Sequence, residues 1–313
     1  MTTFRPARVV ALMVCAALWL MAAPGEASGQ KGQKPKPAQQ QRPYQPEIGQ
    51  EGKDVVWVPT AETLVDEMLD LAAVTRDDYL IDLGSGDGRT VIAAAKRGAR
   101  AHGIEYNPDM VALAKRNADD AGVAGVATFE RADLFEADLS KATVVTMFLL
   151  PSINLKLRPA LLALKPGTRI VSNTFPMGDW EPDASFRVTR ECVNYCTALL
   201  WVVPAKVQGT WALSRGRLLL SQAFQKVSGS VASWGATTPI TAGRLQGDHL
   251  SFSVRGSDYF VVVKGDVMEG TVVTGRKKEP FKATRAPRPR PDAVRLSPPF
   301  LKPAAAAAPG PAR

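Results

Sequence analysis

Apolar and polar positions change their spacing several times along this chain, and each change marks a boundary. An apolar run from Val9 to Ala23 follows Arg5 and Arg8 and leads into small residues through Ala27 and Ser28, the layout of a secretory leader. The run is shorter than the roughly 20 residues that span a bilayer, but Lys31, Lys34, Lys36 and Arg42 follow it, so residues 1–27 read as a signal peptide or a signal anchor. Residues 28–53, rich in Gln, Lys and Pro, read as a disordered linker. Leu64, Met68 and Leu71 then recur on one helical face and predict a helix from Ala61 to Leu71, with Thr60 as its cap. Strand and helix patterns alternate after it. The strands are Tyr79–Leu83, Ala101–Glu105, Ala127–Arg131, Thr143–Leu149 and Arg169–Asn173; the helices are Thr90–Lys96, Pro108–Ala121 and Ile153–Leu164. This alternation predicts an α/β fold over residues 54–205, a Rossmann-like, mostly parallel sheet with helices on both faces.

After Asp179-Trp180 the helical spacing disappears. Strand-like runs at Ser185–Arg190 and Thr197–Val203 complete the sheet. Further short runs follow at Gln208–Leu213, Leu218–Phe224, Leu250–Val254, Tyr259–Val263 and Val267–Val273, divided by Gly and Asp. They predict a small antiparallel all-β module over residues 206–284, whose opening Gly209-Thr210-Trp211 is similar to the start of lipocalin barrels. The Pro-, Ala- and Arg-rich residues 285–313 read as a disordered tail.

Charge changes this picture little. The chain has a net charge of +9, but residues 1–50 carry six Lys or Arg against two acids and residues 276–313 carry ten against two, which leaves the middle at −3. Basicity confined to the ends does not indicate a folded phosphate-binding face, so no nucleic-acid partner is expected. With Cys15 inside the leader, Cys192 and Cys196 remain; they flank Val193-Asn194-Tyr195 at the tip of a predicted hairpin, and either a disulfide or two free thiols fits. With only His102 and His249 besides, ligands for a metal are too few, and none is expected.

The chemistry concentrates in Asp82-Leu83-Gly84-Ser85-Gly86-Asp87-Gly88, directly behind the first strand. A dinucleotide loop of the G-x-G-x-x-G kind needs glycine where this chain has Arg89. The run resembles the first motif of class I S-adenosylmethionine (SAM) methyltransferases. That resemblance implies SAM as methyl donor, Asp82 beside the methionine amino group, Glu105 at the ribose hydroxyls, Asp133 at the adenine amino group, and Tyr106 on the adenine face. Thr60, Gly84, Ser85 and Gly86 complete the expected cofactor set. The three acids follow three consecutive predicted strands, where ligands bind in this architecture.

Val58-Pro59-Thr60, the glycine run and Phe148-Leu149-Leu150-Pro151 with Asn154-Leu155-Lys156-Leu157-Arg158-Pro159 are similar to the mitochondrial protein-lysine methyltransferase group and its bacterial relatives. The resemblance covers roughly residues 55–180 and implies N-methylation of a lysine on a protein partner, with Phe148, Leu149 and Pro151 shaping the acceptor channel. No residue stands out as a general base. The Asn-Pro-Pro-Tyr signature of amino-group methylation on nucleic-acid bases or glutamine is absent. The leader adds the expectation of an exported, periplasmic or membrane-anchored protein, with possible membrane association. It also supports an alternative, a binding protein that keeps the fold without methyltransferase activity.

Overall fold

The computed structural model describes residues 44–287. The expected leader, the first part of the linker and nearly all of the tail lie outside the described residues. The first sheet has seven strands: β1 (Tyr79–Leu83), β2 (Arg100–Glu105), β3 (Ala127–Arg131), β4 (Val144–Met147), β5 (Arg169–Asn173), β6 (Ala184–Arg187) and β7 (Thr197–Val202). Their order is β3-β2-β1-β4-β5-β7-β6; the first five are parallel, and β7 runs antiparallel to both β5 and β6. Four helices accompany them: α1 (Glu62–Leu71), α2 (Arg89–Lys96), α3 (Pro108–Asp120) and α4 (Pro151–Leu161). β1, β4 and β5 are buried over nearly their whole length, as parallel strands covered by helices on both faces must be.

Local chemistry explains most helix starts. Asn107 caps α3 by accepting the N–H groups of Asp109 and Met110, and Pro108 stands at the first position, where no intrahelical donor is needed. Pro151 plays the same part in α4. At α1 the expected cap is displaced: Ala61 is the capping position and makes no side-chain bond, while the Thr60 hydroxyl accepts a hydrogen bond from Asn173 instead.

The second sheet comprises β8 (Gly209–Ala212), β9 (Arg217–Ala223), β10 (Lys226–Ser233), β11 (Ala236–Pro239), β12 (Thr241–Gln246), β13 (His249–Val254), β14 (Ser257–Lys264), β15 (Val267–Thr274) and β16 (Lys277–Arg285). β9 pairs with β10 as well as with β8, so eight strands close into a ring and β11 is a side hairpin on β10. Closure leaves no free edge around the ring. Leu218, Leu220, Leu245, Leu250, Phe252, Val261, Val263 and Met268 fill the interior with Trp211, whose ring carries the Arg285 guanidinium 4.2 Å from its centroid. The barrel meets the first sheet through aromatic packing and buried amides. Phe224 stacks on Trp180 at 5.8 Å, the Trp201 indole N–H donates to the Trp180 carbonyl, and the Gln225 amide donates to that of Glu181. Among the described residues no helix is long and apolar enough to cross a membrane.

Candidate active site

A cavity of about 390 Å³ opens at the carboxyl ends of β1, β2 and β4. Its floor is the turn after β1, where the N–H groups of Gly84 and Ser85 both donate to the Ile104 carbonyl and tie the turn to the end of β2. Two glycines are required by space. Gly86 has φ +53°, and a Cβ there would lie 2.7 Å from the Trp57 indole nitrogen; a Cβ on Gly103 would lie 2.5 Å from Ser85 Oγ. Residues 50–60 run along the cavity as a strap, pinned by the Trp57 N–H donating to the Gln50 carbonyl and the Gly49 N–H to that of Trp57. Arg89 fixes the strap to the turn, because its guanidinium donates to the Thr60 carbonyl and to both Asp87 oxygens.

The three acids line this one cavity, in three different environments. Asp82 is buried within β1 and accepts a hydrogen bond from the Thr146 hydroxyl at 2.7 Å. Burial pushes its carboxyl up to about 7, against the Thr146 bond, which lowers it; the nearby Glu105 and Asp87 charges raise it further. Glu105 accepts the Gly86 N–H on one oxygen and the Asn107 N–H on the other. Asp133 accepts the Phe135 N–H and pairs with the Lys53 ammonium, which holds its carboxyl below the usual range. Lys53 also stands 4.9 Å from the centroid of the Tyr106 ring, so the strap places a cation between Asp133 and Tyr106.

The other end of the cavity is apolar. Phe148, Leu149, Leu150, Ile153, Phe175 and Tyr195 line it, and Leu149 packs over Gly84. Of the expected channel residues, Pro151 is not part of the lining: it is exposed as the first residue of α4. Trp57, Phe175 and Tyr195 are lining residues that sequence reasoning missed. Trp57 lies ahead of the first helix in a stretch without periodicity, and Phe175 is two residues beyond the last residue of β5. In the sequence Tyr195 reads only as a spacer between Cys192 and Cys196, which form a disulfide.

The family model for the ANTKMT methyltransferase domain matches residues 82–184, from the buried acid of β1 to the start of β6. A protein-lysine N-methyltransferase of Saccharolobus islandicus is 43% identical over 152 residues, which is 48% of this chain and 94% of that protein. The adenine nucleotide translocase lysine N-methyltransferase of Mus musculus is 42% identical over 111 residues, 35% of this chain and 48% of the relative. A human lysine N-methyltransferase of ATP synthase is 36% identical over 128 residues, 41% of this chain and 54% of the relative. The chain therefore spans about half the length of these two mammalian relatives. Among solved structures, an RNA methyltransferase from Salinibacter ruber with bound S-adenosyl-L-homocysteine is 51% identical, covering 48% of this chain and 96% of that one, with a TM-score of 0.45.

These relatives correct one expectation. An exported or membrane-anchored location does not hold, because the chain is similar to intracellular methyltransferases. The apolar run that suggested it lies outside the described residues. With the archaeal enzyme matched along nearly its whole length and the family model beginning at Asp82, the chain belongs to the family of SAM-dependent methyltransferases that includes these protein-lysine enzymes.

Proposed function

We propose that this methyltransferase N-methylates lysine side chains of a protein substrate. The observation that carries the proposal is the two-ended cavity, with carboxylates and backbone donors at one end and an aromatic, uncharged wall at the other. The residues present fit SAM. Ser85 Oγ is buried without a partner, Asp82 has one oxygen not engaged by Thr146, and each Glu105 oxygen holds a single backbone N–H. In this reading Asp82 and the turn at Gly84, Ser85 and Gly86 receive the methionine part, Glu105 the ribose, and Asp133 with Tyr106 the adenine. Thr60 sits at the strap's end of the cavity, and Phe148 and Leu149 face the acceptor. The division into a methyltransferase domain over 54–205 and a β module over 206–284 belongs to the same proposal.

The bound cofactor supplies an already activated methyl group, so the chain's task is alignment and exclusion of water. An ammonium must lose its proton before its nitrogen can accept a methyl group. Desolvation among Phe148, Leu149, Ile153 and Phe175 favours the neutral amine, and no dedicated base is needed for that. Incubation of the full chain with methyl-labelled SAM and total cell protein tests the reading. Label recovered as methyl-lysine after acid hydrolysis is expected; label that is removed by nuclease and absent from lysine would contradict it.

A further inference from the structure

Among the described residues, Tyr195 is the one member of the cavity carried by a covalently closed loop. The Cys192–Cys196 disulfide joins the two sides of that loop, with a Cα separation of 5.8 Å. Cys196 is buried in the core beside Val188, whose N–H donates to the Cys196 carbonyl, so one end of the bridge is anchored and the other is drawn to it. Tyr195 itself has φ +57°, a left-handed conformation that a non-glycine residue holds only when its surroundings impose it. The result is an aromatic ring brought back over the cavity from a loop whose next residues outward, Val193 and Asn194, are exposed.

That ring meets two others. Tyr195 lies 5.3 Å from Phe148 and 5.6 Å from Phe175, and these two stack at 5.9 Å. Phe175 is held from behind, because its carbonyl accepts the Ser172 hydroxyl and the Asn154 amide. The Thr174 N–H donates to the Thr197 carbonyl, which joins the Phe175 loop to the strand that follows Tyr195. Three strand ends thus deliver three rings to one end of the cavity.

We propose that Tyr195, pinned by the disulfide, forms the outer wall of the acceptor channel and is a specificity-determining residue for the methyl acceptor. The proposal rests on the amine-acceptor reading above for one consequence: an incoming ammonium meets ring faces, which attract a cation, before it is desolvated deeper in the channel. The wall itself does not depend on the acceptor being an amine.

Aza analogues of SAM, with nitrogen in place of sulfur, test this by calorimetry on the full chain. One carries the methyl group, one a butyl arm and one a 3-aminopropyl arm of equal length. In the wild type both arms are expected to bind more tightly than the methyl analogue, and Tyr195→Ala is expected to lose most of that gain while binding the methyl analogue unchanged. Tyr195→Leu keeps an apolar wall without a ring face; it is expected to retain the butyl gain and to lose roughly five- to tenfold for the aminopropyl arm. The Cys192→Ser/Cys196→Ser pair is expected to lose part of both gains, and full retention would overturn the role given to the disulfide. Arm gains that survive Tyr195→Ala overturn the proposal. A butyl gain without an aminopropyl gain, erased by Tyr195→Ala, leaves the wall standing and overturns the amine reading alone.

Discussion

Asp82 is a carboxylic acid that the fold keeps away from water, and its pH behaviour follows from that. The folded protein holds the proton up to about 7, whereas the unfolded chain releases it near 3.8, so Asp82 lowers stability progressively as pH rises between those values. Asp82→Asn, which stays neutral at every pH, is expected to flatten that part of the pH–stability curve, as followed by thermal melts from pH 4 to 8. A bound cation has the opposite preference. If the SAM ammonium sits beside Asp82, it favours the ionised carboxyl, so affinity should rise as pH rises toward about 7 and level off above it. Calorimetry in two buffers of different ionisation enthalpy should then register proton release on binding near neutral pH, and none in Asp82→Asn. The acids were legible from sequence because each follows an apolar strand, where the architecture concentrates ligands. What Lys53 does to Asp133 was not legible, since the two are 80 positions apart and the strap that joins them has no periodic pattern.

At the scale of elements, the loops after β4 and β5 are held by one buried amide. Asn154 on α4 donates to the carbonyls of Phe175 and Pro176, and the Ser172 hydroxyl shares the first of these. Asn154→Ala removes two hydrogen bonds from a buried site and is expected to cost about 1–3 kcal/mol, read from the denaturant midpoint. Helices and parallel strands were predictable here because burial on both faces gives continuous apolar runs, as in Tyr79-Leu80-Ile81. The barrel was only half predictable. β9 and β13 alternate visibly, but β10 reads Lys-Val-Ser-Gly-Ser-Val-Ala-Ser, and β16 opens with Lys-Lys-Glu-Pro, whose side chains are exposed. Such strands owe their conformation to pairing with neighbours, and composition alone does not reveal that.

For the whole molecule, the central joint is aromatic. Trp180 is fully buried between Trp201 and Phe224, so it packs on the first sheet and the barrel at once. Trp180→Ala is expected to cost about 3–5 kcal/mol, and the wild type should melt in one transition by both near- and far-ultraviolet circular dichroism. Two separated transitions would show that the sheets do not share this core energetically. The central claim concerns the cavity that this frame holds open, and titration of SAM into the full chain and into Glu105→Ala tests it most directly. Wild-type binding should weaken by more than about tenfold in the variant, since hydrogen bonds to a charged carboxylate contribute roughly 1.5–3 kcal/mol each. Equal affinity in the two proteins, with both folded, would contradict a SAM site at these strand ends.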